Sequence, residues 1–173
     1  MNIFLYGFKN AGKTFLGKRV AKQIGRPFID TDERIEEAYF HLEKEKLTAP
    51  EIAKKRGLYF FRSLEKTVIS RLKGDENAII ALGGGAVIDN DNQRMLKKVG
   101  TLLYLKVSRE ILFERFLKNP FCFAEGLNLS SFFEKIYQER KEVYANLSSY
   151  EVKLNGSAEE NEAALVSSLK GLL

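Results

Sequence analysis

The residues best placed to do chemistry come first along the chain. Gly7-Phe8-Lys9-Asn10-Ala11-Gly12-Lys13-Thr14 fits the pattern G-x-x-x-x-G-K-[ST]. A phosphate chain is held by several backbone N–H groups aimed inward, and side chains at the turn would block its approach. Gly7 and Gly12 leave the backbone open there. A helix starting near Lys13 points its positive end at the anion. In this pattern the lysine reaches the β- and γ-phosphates and the Thr14 hydroxyl binds Mg²⁺. The run Lys9, Asn10, Ala11, Gly12, Lys13, Thr14 and Phe15 is therefore the expected nucleotide-binding segment.

Two acids and a glycine run extend the set. Asp30 follows the apolar Phe28-Ile29, where a carboxylate can hold Mg²⁺ through its water shell, cap a helix, or do both. Asp32 lies two residues on, facing the same phosphates. Two carboxylates beside a triphosphate make electrostatic sense only with a cation or a donor-rich substrate between them. Asp32 is a candidate to bind and deprotonate an acceptor hydroxyl, with simple capping as the alternative. Gly83-Gly84-Gly85 ends an apolar run, which suggests backbone approaching a ligand closely, or else a flexible turn.

The elements that must carry these groups follow from apolar spacing. Strands are expected at 3–6, 27–29, 77–82, 101–107 and 150–154, and helices at 14–24, 31–40, 48–55, 58–72, 90–98, 108–117, 129–147 and 158–169. Asn119 to Leu127 reads as irregular. Short apolar strands alternating with helices give an α/β fold with a parallel sheet covered on both faces. Ligands then lie at the carboxyl ends of the strands, where Gly7, Asp30 with Asp32, and Gly83 all fall.

Composition narrows the function. With 173 residues, about one domain is expected, residues 1–173. One cysteine (Cys122) and one histidine (His41) rule out an internal disulfide and leave almost no room for a structural Cys/His zinc site. No apolar run is long enough to span a bilayer, and the first residues lack a signal-peptide pattern, so a soluble cytoplasmic protein is expected. The net charge of +5 is spread along the chain, which favours a small anionic ligand over nucleic acid.

Taken together, these residues resemble shikimate kinase. The resemblance covers nearly the whole chain in order. It rests on GFKNAGKT (7–14), Asp30-Thr31-Asp32, Phe61-Arg62-Ser63-Leu64-Glu65, Leu82-Gly83-Gly84-Gly85-Ala86 and Arg140-Lys141-Glu142-Val143-Tyr144. It implies a three-layer P-loop NTPase fold, with a five-stranded parallel sheet in the order 2-3-1-4-5 and a mobile lid at about 109–128. A helical substrate-binding region would span about 31–60. It implies phosphoryl transfer from ATP, with Mg²⁺, to the 3-hydroxyl of shikimate in aromatic amino-acid biosynthesis, by a monomer. The implied catalytic groups are Lys13 and Asp32. Thr14 would bind the metal directly and Asp30 through water. Asp32, Arg62, Gly83, Gly84 and Arg140 would hold shikimate, with Glu65 steadying Arg62. Read without the resemblance, both arginines sit on charged helices where a solvated face is the common case.

The departures lie in the lid. The family usually carries an arginine before the lid proline and another within the lid, whereas Lys118-Asn119-Pro120-Phe121-Cys122-Phe123-Ala124-Glu125-Gly126 has none. Asn119 stands at the first position, against the adenine. Lys9, Lys118 or Arg115 is expected to supply the missing positive charge, with Lys9 preferred because it lies inside the loop itself. Phe121 and Phe123 read either as an apolar cover that excludes water or as ordinary packing. Cys122 and His41 receive no role. The rival readings are another small-molecule kinase of gluconate or nucleoside-phosphate type, a noncatalytic nucleotide-binding module, and a nucleic-acid binder.

Overall fold

Five parallel strands form the sheet in the order β2-β3-β1-β4-β5: β1 (Asn2–Tyr6), β2 (Phe28–Asp30), β3 (Ile79–Ala81), β4 (Gly100–Lys106) and β5 (Glu151–Lys153). This computed structural model describes residues 1–148 and 150–172. Strand β1 lies at the centre, with Leu5 opposite Ala81 on one side and Leu103 on the other. Ile3, Phe4, Leu5 and Tyr6 are all 0% exposed, so both faces of the central strand are covered, as the continuous apolar run requires. The expected α/β class and strand order are therefore those observed.

Seven α-helices occur among the described residues: α1 (Lys13–Gln23), α2 (Thr31–Glu43), α3 (Ala49–Arg71), α4 (Asn90–Val99), α5 (Arg109–Lys118), α6 (Leu129–Leu147) and α7 (Ala158–Lys170). Most begin on side-chain caps. Asp30, Asp89, Ser108, Asn128 and Ser157 each accept a hydrogen bond from a backbone N–H of the first turn. Helix α1 has no such cap, which leaves its N-terminal N–H groups turned to the loop before it.

Some element limits differ from those expected. The helices read at 48–55 and 58–72 are the two arms of α3, which meet at the non-helical Gly57 (φ 81°, ψ 162°), so both are present as expected. That backbone conformation is open essentially to glycine alone, so the break in periodicity was a real kink. The second strand includes Asp30 and the third is shorter, Ile79–Ala81. Within the range given to the lid, residues 109–118 form helix α5, the helix also expected there, whose Leu112 and Phe116 are 1% exposed within the main core. Residues 119–128 follow as a mostly irregular segment.

A second, smaller core packs α2 against α3 through Ile35, Tyr39, Ile52, Ala53, Phe61 and Val68. It carries one wall of the site as a unit beside the sheet.

Candidate active site

The loop between β1 and α1 curls over its own lysine. Asn10 (φ 68°) and Gly12 (φ 94°) take left-handed conformations that turn the chain back on itself. The Lys13 ammonium donates to the carbonyls of Gly7 (3.1 Å) and Phe8 (2.8 Å) and is buried. Burial pulls its pKa down to about 8, opposed by the charges of Asp32 and Asp30. The tip of the loop is clipped to the end of α5. Arg115 donates to the Asn10 carbonyl at 3.0 Å, and the Asn10 amide donates to the Asn119 carbonyl at 3.0 Å.

Thr14 and Asp30 meet across the first two strands. The Thr14 hydroxyl donates to Asp30 Oδ2 at 2.6 Å, while Asp30 Oδ1 caps α2 by accepting from the Asp32 N–H at 2.9 Å. Asp30 thus caps the helix and also faces the loop, so the two readings of this residue coexist. A hydroxyl and a carboxylate oxygen are hard donors suited to Mg²⁺. Among the described residues no cluster of three His, Cys, Asp or Glu side chains could hold a metal without further ligands. The pair therefore suits an ion that keeps its waters and shares phosphate oxygens.

The opposite wall is assembled from distant segments around Gly83–Gly85. Asp32 is half-buried, and a methyl group added at Gly83 would lie 2.8 Å from its Oδ1 and 3.3 Å from Glu65 Oε2. Burial, followed by the neighbouring Asp30, raises the Asp32 pKa to about 6. Arg62 forms a two-pronged ion pair with Glu65, at 2.7 and 2.9 Å. Glu65 is only 1% exposed; burial raises its pKa while Arg62 opposes the shift. The Arg62 guanidinium lies against Gly85, where a Cβ would come within 2.7 Å of its central carbon. Arg140 donates to the Gly84 carbonyl at 3.3 Å, and the Tyr144 hydroxyl donates to the same oxygen.

These groups share one cavity of about 1010 Å³. Lys9, Lys13, Thr14 and Phe15 line it from one side; Asp32, Arg62, Gly83, Gly84 and Arg140 line it from the other. Three expected residues do not line this cavity. Ala11 sits within the phosphate loop with its side chain buried in the main core. Asn119 is engaged with Asn10 rather than turned into the cavity. Lys118 is exposed and does not line it, and neither does His41.

The segment 119–128 divides its aromatic pair. Phe121 packs on Phe116 and Phe132, with centroids 5.2 and 6.0 Å away, so its ring is anchored in ordinary packing as well as facing the cavity. Phe123 is 39% exposed along the cavity wall. Cys122 packs against the α2–α3 core, and Glu125 pairs with Lys54 of α3 at 2.5 Å.

Sequence reasoning missed two supporting groups. Thr31 Oγ1 donates to the Ala81 carbonyl at 3.2 Å and accepts from the Gly83 N–H at 2.9 Å, pinning the glycine run to α2. Tyr144 supports Gly84, and its own carbonyl accepts from the Tyr6 hydroxyl at 2.9 Å. Its spacing of four from Arg140 was the available signal, since positions i and i+4 share a helix face.

Comparisons with known proteins agree with this geometry. The family model described as shikimate kinase matches residues 9–170. A shikimate kinase from Persephonella marina is 34% identical over 147 residues, covering 83% of this chain and 84% of that one. A shikimate kinase from Clostridium botulinum (strain Langeland) is 34% identical over 171 residues, 98% of this chain and 96% of that one. The solved shikimate kinase from Acinetobacter baumannii, in complex with shikimate, superposes with a TM-score of 0.82. It is 28% identical and covers 99% of this chain and 91% of its own.

Proposed function

Because the chain belongs to the shikimate kinase family, it is a kinase that phosphorylates shikimate with ATP, and we propose the following roles for its residues. Residues 9–15 cradle the triphosphate. The open N-terminus of α1 and the buried Lys13 supply fixed positive charge that needs no reorganisation during the reaction. Thr14 would hold Mg²⁺ directly and Asp30 would hold one of its waters, and the ion would supply charge to offset that of the phosphates.

Shikimate, a polyol with one carboxylate, occupies the other wall. Arg62 and Arg140 grip the carboxylate, since a planar guanidinium fork matches its two oxygens. Glu65 holds Arg62 in that orientation through the two-pronged pair. Gly83 and Gly84 let the ring approach the backbone. Asp32 accepts the hydrogen bond of the 3-hydroxyl and takes its proton as the phosphoryl group transfers in line. With a pKa of about 6 it is ionised at neutral pH yet basic enough to share that proton. Positioning and charge stabilisation supply most of the acceleration.

A monomer is part of the same proposal. No described helix is long and apolar enough to cross a membrane, and a cytoplasmic location is part of the same proposal. The residue-level reading is carried by one observation: Asp32, Arg62 and Arg140, remote in sequence, line the cavity that the phosphate loop also lines.

A coupled ADP-release assay with Mg²⁺, ATP and shikimate tests it, with gluconate as the competing acceptor. Shikimate-dependent turnover, and none with gluconate, is the expected result. ATP binding without turnover on shikimate would remove the acceptor-site assignment.

A further inference from the structure

Among the described residues, four cations line the cavity: Lys9, Lys13, Arg62 and Arg140. Lys13 is held by the carbonyls of Gly7 and Phe8, and Arg62 by Glu65. Arg140 and Lys9 are held more loosely, each by one backbone carbonyl: Arg140 by Gly84 at 3.3 Å and Lys9 by Pro120 at 3.4 Å. Of these two, Lys9 belongs to the phosphate loop, and its ammonium lies 5.5 Å above the Phe121 ring. No carboxylate pairs with it among the described residues.

The backbone of Lys9 marks where the two halves of the site meet. A Cβ added at Gly84 would lie 3.1 Å from the Lys9 nitrogen, so the phosphate loop and the glycine run touch here. Lys9 also raises the electrostatic potential at both Lys13 and Asp32, disfavouring protonation at each. The covering segment 119–128 contributes no cation; its single charge, Glu125, is paired with Lys54 at 2.5 Å. Positive charge over the group in transit must therefore come from below the cover.

We infer that Lys9 is a catalytic cation whose ammonium leaves the Pro120 carbonyl and the Phe121 ring to bind the γ-phosphoryl oxygens of ATP. It makes and breaks no covalent bond. The acceptor oxygen bonds to phosphorus, the bridge to ADP breaks, and the hydroxyl proton goes to Asp32. Lys9 neutralises charge on the oxygens in transit, and the lid segment it touches registers its departure. This inference rests on the proposed kinase reading.

The test uses Lys9→Met and Lys9→Arg, with ADP and the nonhydrolysable analogue AMP-PNP titrated by calorimetry. In Lys9→Met, AMP-PNP affinity is expected to fall about tenfold while ADP affinity stays within about twofold, a selective loss worth one charge-assisted bond. Turnover should fall roughly 10²–10³-fold, the usual cost of one donor to developing charge. Lys9→Arg should recover most of both. Turnover within about twofold of the parent protein, or equal loss of ADP and AMP-PNP affinity with an unchanged Tm, would overturn the inference. If Lys9→Met does not fold, failure of Lys9→Arg to keep the AMP-PNP preference overturns it instead. If the parent protein itself does not turn over shikimate, the acceptor reading fails, while the ratio of the two nucleotide affinities still decides the role of Lys9.

Discussion

The two walls of the cavity are made in opposite ways. The wall proposed for the donor is one short stretch of chain, with Lys9, Asn10, Gly12, Lys13, Thr14 and Phe15 lining the cavity between the central strand and the helix that follows it. The acceptor wall is made of side chains from α2, α3 and α6, held in register by Gly83–Gly85. Main-chain recognition is insensitive to side-chain identity outside a few positions. Side-chain recognition fails when any one partner shifts by an ångström. The donor wall therefore suits a ligand common to many enzymes, and the acceptor wall sets which alcohol receives the phosphoryl group.

Variants can break that division. The largest effect is expected from Asp32→Asn, which should lower kcat by roughly 10²–10⁴-fold with ATP binding intact, since it removes the proton acceptor alone. Loss of ATP affinity to the same extent, measured by calorimetry, would show that the walls are not separable. Arg62→Lys comes next. Arg62 meets both Glu65 oxygens through Nη1 alone, leaving its other N–H donors for the acceptor carboxylate; a lysine has one nitrogen for both tasks, so KM for shikimate should rise roughly 10–100-fold. The KM for ATP should be unchanged.

The pH profile sharpens the contrast at a smaller scale. Asp32 is protonated as pH falls through about 6, so kcat/KM declines on the acid side. Lys13 loses its proton as pH rises through about 8, so kcat/KM also declines on the alkaline side, each limb by about tenfold per unit. A bound triphosphate favours the charged lysine. Saturating ATP should therefore move the alkaline limb upward and leave the acid limb nearly in place.

How legible each wall was in the sequence follows from the same difference. Gly7 to Thr14 can be read directly because the chemistry is contiguous, and the strand order accompanies it. The capping residues Ser108 and Asn128, with the apolar strands between turns, gave most element limits within a few residues. Arg62 and Arg140 could not be read from spacing, because nothing local separates a ligand-gripping arginine from a solvated one. Only the ordered set of motifs singled them out. Thr31 and Tyr144 stand inside the quoted motifs, but their roles could not be read there: each acts on a backbone carbonyl or N–H that only the folded chain brings near. Asn119 adds a contact that its position alone did not suggest: its carbonyl accepts from the Asn10 amide at the loop tip.

The bend at Gly57 touches nothing; no atom lies within 4 Å of the place a side chain would occupy. A survey of neighbours would score the position as freely replaceable. Yet its backbone angles are those that L-amino acids refuse, at a cost of about 1–3 kcal/mol. Straightening that joint would swing Arg62, five residues on, away from the direction in which the lower half of α3 now presents it. Handedness at one solvent-facing carbon thereby fixes the bearing of Arg62, the side chain proposed to grip the acceptor. A mirror-image alanine would be welcome there and the ordinary one would not.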